Sequence, residues 1–258
     1  MTRRLFALAL FLAAATAGAS TLEETLDRTI DIRPGARLVL ENVNGRVTVT
    51  AWNQPRVRIH ALRHVEGRDA KLVQQTMASL VNIAADANGV RIHTNHPNNA
   101  NGFFAWLAGE TVETRVTYEI TVPQNMNLDV ETVNGTLTAN NVSGALRFAT
   151  VNGRITIERC AGELDASTTN GGIAAEMLSL TPGRPVKLST TNGRITVAVP
   201  RTIAARVDAS TSNGSINSEL PVLANTSSRN SLRGTINGGG NAELSLHTTN
   251  GSIEIKGR

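Results

Sequence analysis

Through the second half of the chain, apolar and polar residues alternate in paired short runs. Leu128 and Val130, Leu146 and Phe148, Leu164 and Ala166, Val186 and Leu188, Val207 and Ala209, and Leu244 and Leu246 lead into a short polar phrase. Leu137 and Ala139, Ile155 and Ile157, Ile173 and Ala175, Ile195 and Val197, and Ile253 and Ile255 lead out of it. Period-two alternation predicts strands with one buried face. Each unit therefore reads as strand, corner, strand.

The corner is Thr, any residue, Asn, Gly. It begins at Thr132, Thr150, Thr168, Thr190, Thr211, Thr235 and Thr248, with a degenerate copy at Asn42–Gly45. Successive Asn-Gly pairs lie 18, 18, 22, 21, 24 and 13 residues apart, which suits one structural unit per repeat. Asn and Gly tolerate positive φ and allow a sharp turn, so the expected structural corners are Asn44-Gly45, Asn134-Gly135, Asn152-Gly153, Asn170-Gly171, Asn192-Gly193, Asn213-Gly214 and Asn250-Gly251. Parity places Thr and Asn of each phrase on the buried face, as inward ladders whose members hydrogen-bond one another.

Two architectures fit. Asn-Gly between alternating strands is also the strongest short signal for an antiparallel hairpin. Recurrence of like residues at like places favours an all-β solenoid, in which each repeat stacks on the next.

Upstream the pattern is less regular. Strands are predicted at Arg37–Leu40, Arg46–Thr50, Arg56–Ala61, Val90–His93 and Thr111–Val122. Leu72, Val73, Met77, Leu80 and Val81 recur at helical spacing, which predicts one inserted amphipathic helix over Lys71–Ile83, within an insert spanning about 67–83. A loop over about 94–110 carries Phe103, Phe104, Trp106 and Leu107. The expected division is residues 1–19 as a leader, 20–127 as an N-terminal β region, and 128–258 as the solenoid.

Composition narrows the functional classes. Of 258 residues, 40% are apolar but only 3% aromatic, so the core must be thin and aliphatic. Arg3 and Arg4, the apolar run Leu5–Ala15 and the small residues before Ser20 read as a secretory signal, and the run is too short for a permanent span. No later stretch is apolar enough to cross a membrane. Residues 1–19 hold those two Arg and no acid, so their removal lowers the formal charge from +4 to +2, which excludes a nucleic-acid-binding protein. Lone Cys160 has no internal disulfide partner.

Three of the six aromatic residues outside the signal fall at Phe103, Phe104 and Trp106. With Leu107 they form either an interaction loop or a cap over a solenoid end. On the strands entering the corners, Ser167 and Thr169, Ser189 and Thr191, and Ser210 and Ser212 point outward. Stacked rung on rung they would make a flat hydroxyl strip suited to a glycan or a protein partner. Arg46, Arg154 and Arg194 follow corner glycines and form a sparse basic column. His60 with His64, and His93 with His96, lack a Cys or carboxylate at ligand spacing, so no metal or cofactor is expected. Asp129, Glu131, Asp165 and Asp208 are scattered over different columns, so no acid–base pair for a polysaccharide lyase emerges.

Leu40–Val49 with its Asn44-Gly45, the segment Val116–Pro123, and the train of TxNG phrases together resemble the toast-rack family of adhesin-like domains, a bacterial domain of unknown function. The resemblance implies a right-handed β-helix-like fold in the cell envelope and brings no catalytic residues. The expectation is an exported, non-catalytic module in the periplasm or at the cell surface, bound to an envelope protein or glycan. Self-assembly by end stacking is the alternative, because solenoid ends are sheet edges.

Overall fold

The computed structural model describes residues 20–96 and 112–258. The signal-like residues 1–19 and the aromatic positions Phe103, Phe104, Trp106 and Leu107 lie outside the described residues.

In chain order the N-terminal half holds β1 (Ser20–Asp31), β2 (Arg37–Glu41), β3 (Val47–Trp52), β4 (Arg56–Gly67), helix α1 (Ala70–Ser79), β5 (Val81–Asp86), β6 (Gly89–Thr94) and β7 (Val112–Pro123). Then come β8 (Asn127–Asn134), β9 (Leu137–Asn140), β10 (Ser143–Asn152), β11 (Ile155–Asn170), β12 (Ile173–Ser179), β13 (Val186–Asn192) and β14 (Ile195–Val199). The chain ends with β15 (Ala205–Asn213), β16 (Ile216–Ser218), β17 (Val222–Ser227), β18 (Ser231–Ile236), β19 (Ala242–Asn250) and β20 (Ile253–Gly257).

Each TxNG corner except Thr235–Gly238 joins a strand of one ladder to a strand of the other. The entry ladder runs β5, β6, β2, β8, β10, the second half of β11, β13, β19, β15, β18, β17. The exit ladder runs β1, β4, β7, β3, β9, the first half of β11, β12, β14, β20, β16. β11 serves both, bending where Arg159 (φ 53°) and Gly162 (φ 99°) take left-handed conformations. Along the stacked rungs the pairing is parallel and like lies on like: Thr132, Thr150, Thr168 and Thr190 are register partners in succession. The hairpin architecture is thereby excluded for the rungs. Among the described residues, antiparallel pairs occur only towards the ends, as β1–β4, β4–β7, β5–β6, β15–β18 and β17–β18.

The order of rungs in space differs from the order in sequence. β2–β3 lies between β6–β7 and β8–β9. At the other end the last rung, β19–β20, fills the slot between β13–β14 and β15–β16. The chain twice passes beyond a position, or returns behind one, so that a rung is enclosed on both sides. The C-terminal strand is therefore an interior strand and offers no stacking edge.

The core follows the alternation. The inward apolar residues of both ladders, from Leu38 and Leu40 to Leu244, Leu246, Ile253 and Ile255, are buried, and among the described residues Phe148 and Tyr118 are the two largest fully buried side chains. Helix α1 leads from the exit ladder to the entry ladder and buries Val73 and Met77 in this core. Asp69 caps it, accepting from the Lys71 and Leu72 amides at 2.8 and 3.3 Å. The helix is shorter than the Lys71–Ile83 span its apolar spacing predicts. Val81 and Ile83 satisfy both periods, and pairing with β6 takes them as strand β5. Beneath the helix the buried Arg63 donates to Met77 O (3.2 Å) and to Glu24 (2.8 Å), tying α1 to β1.

Candidate functional site

The corners form a continuous spine. Asn134 Nδ2 donates to Asn44 Oδ1, Asn152 to Asn134, Asn170 to Asn152, Asn192 to Asn170, Asn250 to Asn192 and Asn213 to Asn250, each at 2.8–2.9 Å. This ladder faces outward. The strand bends after the Thr, so the parity argument that places Asn on the buried face fails one residue before it applies. The buried Thr residues do not bond one another either. Thr150, Thr168, Thr190, Thr248 and Thr211 donate to the carbonyls of Gly135, Gly153, Gly171, Gly193 and Gly251 on the neighbouring rung, at 2.9–3.3 Å.

Those glycines are required for a reason other than turning. Among the corner glycines only Gly45 has a left-handed φ, of 125°. At Gly135, Gly153, Gly171, Gly193, Gly251 and Gly214 a Cβ would fall onto the glycine carbonyl of the adjacent rung. Backbone approaches backbone at the edge, and any side chain would wedge the rungs apart. The phrase Thr235–Gly238 is not a corner of this kind. Asn237 (φ 48°) and Gly238 (φ 78°) form a turn after β18, and the Asn237 amide holds Arg201 O and Ile203 O at 2.9 and 2.8 Å.

Residues 114–256, more than half of the chain, match the Toastrack DUF4097 family. The chain belongs to the Toastrack family. The match starts after Leu40–Val49, so that part of the motif lies outside the matched segment. Among solved structures, the Toastrack chain is similar to a "putative cell adhesion protein" from Clostridium sporogenes ATCC 15579, with 11% identity over 92% of this chain and 100% of the other, at a TM-score of 0.48. It is similar to a "putative adhesin" from Bacteroides fragilis NCTC 9343, with 10% identity over 90% and 97% and a TM-score of 0.31. It is also similar to a "putative lipid binding protein" from Parabacteroides distasonis ATCC 8503, with 9% identity over 90% and 96% and a TM-score of 0.25. At these scores the likenesses carry no functional weight. No curated protein matches the Toastrack chain.

The hydroxyl strip of the Toastrack chain is assembled differently from the sequence expectation. Ser167 and Ser189 are register partners, but the inserted β19 puts His247 between Ser189 and Ser210. The Ser210 hydroxyl lies 2.9 Å from His247 Nδ1. Thr169, Thr191 and Ser212 are exposed at the corner bend, and Thr249 stands in that row between Thr191 and Ser212. A second hydroxyl column, on the exit ladder, runs Thr48, Thr138 and Thr156 in register, is broken by Ala174 and resumes at Thr196. The sequence signal for it lies in the residues that follow each corner glycine by three places.

Several of the outward charged residues are paired across the rungs. One entry-ladder row reads Asp129, Arg147, Asp165, Lys187 in register. Asp129 bonds Arg37, Glu131 meets Arg147 at 3.2 Å, and Asp208 meets Arg233 at 3.1 Å. Arg46, Arg154 and Arg194 recur on alternate rungs of the exit ladder, and Arg194 meets Glu254 at 3.3 Å. Cross-strand pairing also gives the histidines carboxylates that linear spacing hides: His60 contacts Asp27 at 3.0 Å and His93 contacts Glu41 at 2.9 Å. No group of three metal-ligating side chains occurs among the described residues. Cys160 is buried and free, and burial raises its thiol pKa. No helix of the described residues is long and apolar enough to cross a membrane.

Proposed function

We propose that residues 1–19 direct export and that the mature chain works in the cell envelope, in the periplasm or at the surface, as a non-catalytic binding module of adhesin type. The observation that carries this reading is the spine of stacked corners from Asn44 to Asn213. Every rung is held to the next by a side-chain amide bond and, inside it, by a threonine bond to backbone. A frame of this kind keeps outward side chains at strand spacing over a long surface. Such a surface suits recognition of an extended partner, an envelope protein or a glycan, through the outward hydroxyl rows and the Phe103–Leu107 loop. Asp129, Glu131 and Asp208 are each paired with an Arg, an arrangement that favours a passive polar face over acid–base chemistry.

The test is twofold. A chromosomally tagged copy is expected in the envelope fraction, and purified residues 20–258 are expected to sediment with isolated envelopes. Retention of the tagged copy in the cytoplasm, or release of unsaturated ends from uronic-acid polymers by the purified chain, overturns the reading. Assembly is a second reading, favoured by one feature: β17 is outermost in its ladder and exposes Leu223 at 75%. A monomer in sedimentation at high concentration removes it.

A further inference from the structure

The edge opposite the TxNG corners carries two adjoining open cavities of about 400 and 410 Å³ that share Gly35 and Asn125. Each falls in the range of ordinary ligand pockets. The first is built by the turns before β2, after β3 and after β7. Trp52, Pro55, Pro123 and Met126 form its apolar wall. Trp52 and Pro123 are register partners on adjacent strands. The indole N–H already donates to Arg56 O at 2.8 Å. The polar edge of Trp52 is thus consumed by its own turn, which fixes the ring and leaves an apolar face for a ligand.

Side-chain amides dominate the polar lining of the first cavity. Asn53, Gln54, Gln124 and Asn125 line the first cavity. Each amide offers one acceptor and two donors without charge. Among the described residues Arg33 supplies the only ionised side chain, and no carboxylate lines the cavity. The second cavity extends the groove along the rungs with Asn127, Ser143, Thr181 and Arg184 beside Gly144 and Gly162. At Gly144 and Gly162 a Cβ would strike the backbone of the preceding rung, so the floor there is bare backbone.

We propose that this groove binds an oligosaccharide, with one pyranose ring stacked on Trp52 and its hydroxyls held by the surrounding amides. A pyranose has an apolar C–H face and a rim of hydroxyls that both donate and accept. It therefore matches a fixed aromatic wall encircled by neutral amides, whereas an acyl chain would leave those amides unpaired at a cost. The adjoining cavity takes the next units of the chain. This inference rests on the binding-module reading above and adds to it a further site, separate from the hydroxyl rows, with its ligand class.

The test is calorimetric titration of residues 20–258 with pyranose oligomers of two to six units, one set neutral (glucan and chitin fragments) and one uronic, and with a short-chain fatty acid. Binding of at least one oligosaccharide set is expected, tighter for the hexamer than for the dimer. Trp52→Ala is expected to weaken it at least tenfold, and Gln124→Ala and Gln54→Ala severalfold. Trp52→Phe, which keeps an aromatic face, is expected to retain most of it and guards against loss of folding in the alanine variant. Four outcomes overturn the proposal: no saccharide binding by a chain that still sediments with envelopes, equal binding by Trp52→Ala, no dependence on length, or preference for the fatty acid. The first of these leaves the binding-module reading standing. Failure to sediment with envelopes removes that reading by itself.

Discussion

Replacing Gly171 separates two explanations for the corner glycines. Its φ lies outside the left-handed region, so alanine meets no conformational barrier there, but its Cβ would meet the Gly153 carbonyl. That same oxygen accepts from Thr168 at 3.1 Å. Overpacking costs about 1–3 kcal/mol, and losing the threonine bond adds about 1 kcal/mol. Gly171→Ala should therefore destabilise by roughly 3 kcal/mol. Gly183 is the opposite case: φ is 74°, and nothing lies within 4 Å of the place a Cβ would occupy. Gly183→Ala should cost only the left-handed penalty, about 1–2 kcal/mol. Asparagine then discriminates between them. It tolerates the left-handed region, so Gly183→Asn should be milder than Gly183→Ala, whereas Gly171→Asn, with a larger side chain in the same clash, should be worse than Gly171→Ala. Urea midpoints followed by circular dichroism give the comparison. If asparagine is milder than alanine at both positions, the glycines serve turning and the backbone-contact argument fails.

Other perturbations reach different parts of the frame. Removing residues 242–258 empties an interior slot and deletes buried Leu244, Leu246, Ile253 and Ile255; at about 1.5–3 kcal/mol each this should abolish the cooperative urea transition, whereas loss of a terminal rung would only lower its midpoint. Burial pushes the Tyr118 phenol up to about 12, against the lowering effects of its Thr94 hydrogen bond and of Arg63. The folded pKa lies above the unfolded one, so this contribution is complete below about pH 10 and is lost as pH rises towards 12. Alkaline unfolding should coincide with phenolate absorbance, which reports one residue because the chain has a single Tyr, and Tyr118→Phe should remove that dependence. Cys160 should react with a thiol reagent only at the rate of unfolding; fast labelling of the folded chain would contradict its burial. Replacing Phe103, Phe104 and Trp106 by Ser should leave the urea midpoint unchanged and weaken envelope binding, and a collapsed midpoint would identify the loop as a cap instead.

The rungs are legible in the sequence because alternation and corner both repeat, and a parallel stack demands that like residues coincide. Three features escape it, each for a physical reason. Alternation reports which face a residue takes but not which rung lies beside it, so the insertion of β19 between β13 and β15 leaves no trace in the strand pattern. It is this insertion that puts His247 into the expected Ser189–Ser210 row. Parity assumes a straight strand, so it misplaces the Asn residues, which lie past the bend. Trp52 carries no signal of its own because a single aromatic before Asn53, Gln54 and Pro55 reads as the end of a strand. Its significance depends on Pro123 beside it and on the turns at Pro34 and Gln124, which are remote in sequence.

The enclosed rungs decide which strands the solenoid leaves as edges. A solenoid wound strictly in sequence leaves its last strand as an edge, with unpaired amides and carbonyls open to another chain. Here β20 has β14 on one side and β16 on the other, and β3 has β7 and β9. The edges pass instead to short or antiparallel pieces: the three-residue β16, the hairpin β17–β18, and β1 and β5 at the far end. Short strands and reversed polarity both break the register that parallel stacking of a second copy would need. The cost falls on folding, since the slot for β19–β20 stays open until residues 242–257 are made. Long-range closure of this kind slows folding, and a chain that folds only after its synthesis is complete has its last rung available when that closure occurs.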